Sequence, residues 1–158
     1  MDDLEQQIQT LINEAPDDGT TGQVVEAIAP ALKTTANRLK HKTYYILQSL
    51  NQVWVMMALS SRQQPNVRKN VVYAYPTLKD SASGPKSVKD PQIMAIPTPV
   101  THILFQMLAI KSLDSIIFFD TPGNLSQGTE IRRQDFQLLV QSQLKASQGY
   151  TDPHANIG

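Results

Sequence analysis

TYYILQSLNQVWVMMALSS, residues 43–61, is the stretch whose reading decides the fold. Ile46, Leu50 and Trp54 recur at helical spacing and would prolong a helix arriving from the N-terminal side. The same residues are rich in aromatic and β-branched types, with a polar break from Ser49 to Gln52. That composition suits a pleated, half-buried surface interrupted by a turn. The reading adopted is two strands, 43–50 and 53–61, joined by a tight turn at Asn51-Gln52. With strands here, the chain as a whole reads as α/β.

Upstream, Leu4, Ile8, Leu11 and Ile12 predict an amphipathic helix over residues 2–14. A run of turn formers, 15–22, separates it from a second helix starting at Gln23. Val25, Ile28, Leu32, Ala36 and Leu39 mark its stripe to about His41, with an expected kink at Pro30. Downstream, Val71, Tyr73 and Tyr75 alternate with Val72 and Ala74, which predicts a strand over 70–76. Residues 79–91 read as a loop and 92–97 as a short strand. Thr98-Pro99 is a helix start, a capping hydroxyl followed by a residue that needs no amide hydrogen. That helix runs to about Ser112. Residues 115–119 form an unbroken apolar run, as in a strand covered on both faces. TPGNLSQG then leads to Thr129, read as the cap of a last helix extending to Lys145. The tail, 146–158, lacks apolar periodicity and is expected to be loose. The expected architecture is one mixed sheet with packed helices, two helices leading in, in a single domain over 1–145.

The bulk numbers limit the function. In 158 residues there are 14 Lys+Arg and 14 Asp+Glu, a net charge of zero. A nucleic-acid binder normally carries a basic excess or stripe; only 38–42 and 62–69 are basic clusters here. There is no cysteine, so disulfides, thiolate nucleophiles and cysteine-held zinc are excluded together. The acidic N-terminus has no signal-peptide pattern. The longest strongly apolar stretch, Val53 to Leu59, is too short to span a bilayer as a helix. A cytoplasmic location is the expectation.

DTPGN, residues 120–124, carries the wording of the Asp-x-x-Gly element of GTPases. A GTPase also needs a Gly-x-x-x-x-Gly-Lys-Ser/Thr loop whose amides surround the phosphates. None of the seven glycines begins one. The plainer reading is a turn: Pro122 presets φ, and Gly123 supplies φ > 0 at the third position of a type II turn. Asp120, Thr121, Pro122, Gly123 and Asn124 stay as the alternative ligand loop, because open α/β sheets bind ligands at the C-terminal ends of strands. His41, His102 and His154 are not at metal-ligand spacing. Asp114 and Asp120 bracket one strand, roughly 20 Å apart, too far to act as a catalytic pair. On the helix 98–112, Val100, Ile103, Leu104, Met107 and Leu108 form a core stripe. His102, Phe105 and Ala109 form a second strip, facing either another part of the domain or a partner. Tyr150 and Ile157 are isolated apolar residues on the tail, suited to a docking arm or to plain disorder.

The order of strand, YAYPTLKDSASG, loop, strand, helix, apolar strand, Pro-Gly turn and helix resembles the enhanced-serine-sensitivity (SseB-type) N-terminal domain across residues 44–145. Tyr75-Pro76-Thr77 and Asp120-Thr121-Pro122-Gly123 stand where that family has a strand-ending pair and an Asn-Pro-Gly-like turn. The family has no established catalytic residues, so the resemblance implies an interaction module. The glutamine-rich, cysteine-free make-up is also similar to small cyanobacterial accessory proteins, among them carboxysome shell assembly factors of the CcmS kind. The expected function is a non-enzymatic adaptor or assembly factor, homodimeric, with no cofactor. It would bind a protein segment, not nucleic acid or a membrane, through a sheet edge or the surface around Phe105.

Overall fold

The structure is a computed structural model describing residues 3–16, 18–60, 66, 68–83 and 91–151, with the backbone alone at 83 and 147–151. Among these residues the elements in chain order are α1 (Asp3–Glu14), α2 (Thr21–Ala36), β1 (Thr43–Ser49), β2 (Met57–Ser60), β3 (Arg68–Tyr75) and α3 (Leu78–Ser83). They continue with β4 (Ile93–Pro99), α4 (Val100–Ala109), β5 (Ser115–Thr121), β6 (Asn124–Arg132) and α5 (Arg133–Thr151). The six strands form one mixed sheet in the order β4-β1-β3-β5-β6, with β2 alongside the half of β3 that β1 leaves free. Only β3 and β5 are parallel. The chain between them passes through α4, the helical crossover that a parallel pair requires.

Strand alternation sorts the side chains. Tyr44 and Ile46 of β1, Val72 and Ala74 of β3, Ile116 and Phe118 of β5, and Ile131 of β6 lie on one face and join a single buried cluster with the helices. The helical partners recur at three- and four-residue spacing: Leu4 and Ile8, Val25, Ile28 and Leu32, Ile103, Leu104 and Met107, Phe136 and Val140. Each fully buried Leu, Ile or Phe contributes about 1.5–3 kcal/mol, so this face supplies most of the stability. Gln7 locks α1 onto it. Its Nε2 donates to Lys42 O at 2.9 Å, and its Oε1 accepts from the amide and hydroxyl of Thr101 at 3.1 and 2.8 Å.

The stretch that decided the fold is strand, but shorter than 53–61 on its second arm. Trp54 makes an isolated bridge to Gln48, and regular pairing starts at Met57. The turn closes with Gln52 N donating to Ser49 O at 2.9 Å, while Ser49 Oγ accepts from Asn51 and Val53 amides. Gln52 sits at φ 65°, the one non-glycine residue at positive φ among those described. A side chain there costs about 1–2 kcal/mol that glycine avoids. Gln52→Gly is therefore expected to raise the unfolding free energy by about 1 kcal/mol after the entropic cost of glycine, read as a higher urea midpoint at unchanged slope.

Several boundaries depart from the expectations. α2 spans Thr21–Ala36 and runs through Pro30; Pro30 and Glu26 are both exposed, so water can take the carbonyl that proline cannot bond. Asp18 organises the start of α2: Oδ1 accepts the amides of Thr20 and Thr21 at 2.9 and 2.8 Å, and Oδ2 the Thr21 hydroxyl at 2.6 Å. The Thr21 hydroxyl and the two amides hold this carboxyl well below its ordinary range. Thr98 is not a cap: it belongs to β4, paired with Tyr44, and its hydroxyl bonds Ile96 O. α4 starts after Pro99, its amides taken by Lys42 O and by Gln7 from across the fold, and it stops at Ala109. The expected loop 79–91 begins as helix α3, where Thr77 and Asp80 cap each other; residues 84–90 lie outside the described residues. The largest correction concerns 124–132. It is a strand, not a lead-in to a helix, and Thr129 does not cap α5, because its hydroxyl donates to Asp120 Oδ2 at 2.9 Å. α5 starts at Arg133 and continues to Thr151, past the expected end at Lys145; residues 152–158 lie outside the described residues.

Candidate functional site

The DTPGN string is a turn, but it joins two strands. Thr121 pairs with Asn124, and Gly123 adopts φ 81°. Several of its polar groups are engaged within the fold, but the buried Asp120 Oδ1 has no hydrogen-bond partner among the described residues. Gly123 N donates to Asp80 Oδ1 at 3.0 Å, and Asn124 Oδ1 accepts from the amide and hydroxyl of Ser126. Asp80 is itself buried and bonded to the Thr77 hydroxyl. At the base of the hairpin, His41 Nε2 lies 2.6 Å from Asp120 O, and His41 packs edge-on to Tyr44. Burial, with the Asp120 charge adding to it, pushes the Tyr44 hydroxyl up to about 12. A cleft of about 660 Å³ does open here between Thr77, Lys79, Asp80, Pro122, Gly123 and Leu125. The Gly123 amide donates to the Asp80 carboxylate, so it is not free to cradle a phosphate; Lys79 also lines the cleft.

The strip proposed on α4 is divided. His102 is half-buried, with Nε2 3.2 Å from Gln7 O, so α1 covers it. Phe105 packs against the core cluster. Ala109 is exposed. Tyr150 belongs to the backbone of α5, and Ile157 lies outside the described residues. α1, α2 and α5 pack against α4, so His102 and Phe105 are partly covered from within the chain while Ala109 stays exposed.

The second face of the sheet carries Tyr73, Tyr75 and Phe119, with Phe119 stacked on both tyrosines at 5.5 Å between ring centroids; Tyr75 and Phe119 are buried and Tyr73 half-buried, so this face is covered at these residues. Six-residue α3 packs against β1 and β3. Leu50, Val53 and Met94 are exposed at the corner where β1 turns beside β4. The sheet's edge strands differ: β2, paired among the described strands with β3 alone, is four residues long. β4 contains Pro97 and Pro99, which lack the amide hydrogens an added strand needs. β6 is nine residues long, contains no proline, and among the described residues pairs on one side only, with β5.

A further concavity of about 600 Å³ is lined by Arg68, Lys69, Lys111, Asp114, Arg132 and Arg133, with Leu113 at its floor. The sequence showed Arg68 and Lys69 as part of a basic loop but gave no reason to join them to Lys111, Arg132 and Arg133. A local signal for β6 was present in the Thr129-x-Ile131 alternation, outweighed by the glycine and polar residues before it. No family model, curated protein or solved structure matches the chain. No described helix is long and apolar enough to cross a membrane.

Proposed function

We propose that the protein is a non-enzymatic interaction module that captures an extended segment of a partner along β6. The single observation carrying this reading is the outer side, unpaired among the described residues, of a nine-residue, proline-free strand at the edge of the sheet. Such an edge presents a row of main-chain donors and acceptors, the template used in strand addition. Proteins usually blunt an edge of this length, as the prolines of β4 do. Among the described residues no group of His, Cys, Asp and Glu could hold a metal, and in the 120–124 turn the Gly123 amide and the Asn124 side-chain oxygen are engaged internally. A second copy of the chain, joined β6 to β6 about a two-fold axis, is the simplest occupant and gives a homodimer. The glutamine-rich, cysteine-free make-up adds carboxysome shell components as the first foreign partners to test.

Hydrogen exchange tests this reading. In the isolated dimer, or in a complex captured from native lysate, amides within 124–132 are expected to become at least tenfold slower to exchange than in dilute monomer, with β4 unchanged. A captured partner that leaves 124–132 unprotected, together with a monomer at every concentration by light scattering, removes the proposal.

A further inference from the structure

Independently of the β6 edge, we propose that the cleft beside the start of α5 binds a compact anion carrying two or more phosphate groups. Arg68 and Lys69 come from β3, Lys111 from the α4–β5 link, Arg132 from the end of β6 and Arg133 from the start of α5. Five of the fourteen basic residues thus converge on one concavity in a chain of zero net charge. Its volume of about 600 Å³ is that of a small-molecule site.

The carboxylates nearby offset this charge only in part. Glu130 is paired with Lys69, and Asp114 lines the cleft, which leaves an excess of cations. Asp114 Oδ2 accepts the Asn70 amide at 2.7 Å, while the Asp114 amide and carbonyl bond Asn70 O and Arg133 N. Asp114 therefore ties β3, β5 and α5 together at the floor of the cleft. Arg133 is held by Nη2 donating to Leu108 O at 3.0 Å, and its buried Nε has no protein partner among the described residues. Arg68, Lys111 and Arg132 form no salt bridge among those residues; Arg132 acts on Glu130 only through its charge.

The Arg68 and Arg132 guanidinium groups, each able to grip two oxygens, with Arg133 partly held by Leu108 O, favour phosphate over a single carboxylate. The lining has no aromatic side chain on which a base could stack, so the phosphates carry the recognition. The cations surround a concavity built from the ends of four elements. A duplex nucleic acid would need an extended stripe instead.

Titration calorimetry at low salt with pyrophosphate as the probe tests the site. A saturable one-to-one isotherm is expected, at least tenfold tighter than inorganic phosphate. Arg132→Gln and Lys111→Gln, both exposed, are each expected to weaken it about tenfold, the loss of one charge-assisted hydrogen bond, with no change in urea midpoint. Glu130→Gln releases Lys69 and is expected to tighten binding several-fold, a gain that a merely structural role would not produce. Three results would each overturn the proposal: no saturable heat at millimolar pyrophosphate, an affinity untouched by Arg132→Gln and Lys111→Gln together, or tighter binding of an oligo-aspartate peptide or duplex RNA.

Discussion

Phe118→Ala is expected to lower the unfolding free energy by about 3–5 kcal/mol, the range for truncating a buried phenylalanine. Phe118 is fully buried on the helix-covered face of β5, the strand between β3 and β6. Its ring meets Tyr44 edge-on, centroids 5.0 Å apart at 70°, and such a pair adds about 0.5–1.5 kcal/mol beyond burial. β5 is bonded on both sides, so its backbone has little freedom to close the void, which places the cost toward the upper end. For a domain of this size the melting temperature should fall by roughly 10 °C or more, at about 2–4 °C per kcal/mol. The single tryptophan, Trp54, is buried in the same cluster and supplies a fluorescence signal for urea unfolding. A lower midpoint at unchanged slope is the expected record. A loss below about 1.5 kcal/mol would show that Phe118 is not packed as described.

Gly128→Ala is expected to cost about 1–3 kcal/mol, the range for overfilling a packed site, although residue 128 lies on an edge strand whose side chains are mostly exposed. A Cβ there would stand 2.9 Å from Ile117 Cγ2, 2.9 Å from Phe118 O and 3.3 Å from the Phe119 ring. One of the two closest atoms is main-chain oxygen in the paired strand, which cannot rotate away. Relief requires β6 to move off β5 between Phe119↔Gly128 and the irregular pairing near Thr121. Neighbouring Gln127→Ala, at an exposed position, serves as the control and should stay within about 0.5 kcal/mol of the parent. Thermal melts of the two variants decide the matter: equal midpoints would mean that β6 does not lie against β5 in this register.

Gly128 also explains why β6 escaped the sequence reading. A glycine amid polar residues after a Pro-Gly turn has the local appearance of a loop. Its place in the sheet follows from Phe119 across the ladder, whose ring covers the space that a side chain would fill. Thr129 misled for a similar reason. A threonine ahead of a helical pattern is a cap by local rules, and here the hydroxyl bonds Asp120 on the adjacent strand instead. Thr98 was read the same way, yet the amides it was expected to serve are taken by Lys42 and by Gln7 from α1. Capping chemistry was present in each case, but partners remote in sequence supplied it.

Local patterning was enough to define much of the protein. The 2.0 and 3.6 residue periods identified α1, α2, the arms around 43–61, β3 and β5, because a side chain's direction follows from its backbone alone. The turn at Pro122-Gly123 was equally legible, since proline and glycine carry their φ preferences wherever they stand. Tertiary structure decided what is bonded to what. It covered His102 and Phe105 from within the chain, left one side of β6 unpaired among the described residues, and gathered Arg68, Lys69, Lys111, Arg132 and Arg133 around one cleft. Those outcomes depend on contacts between segments tens of residues apart, whose geometry exists only once the strands have chosen their neighbours.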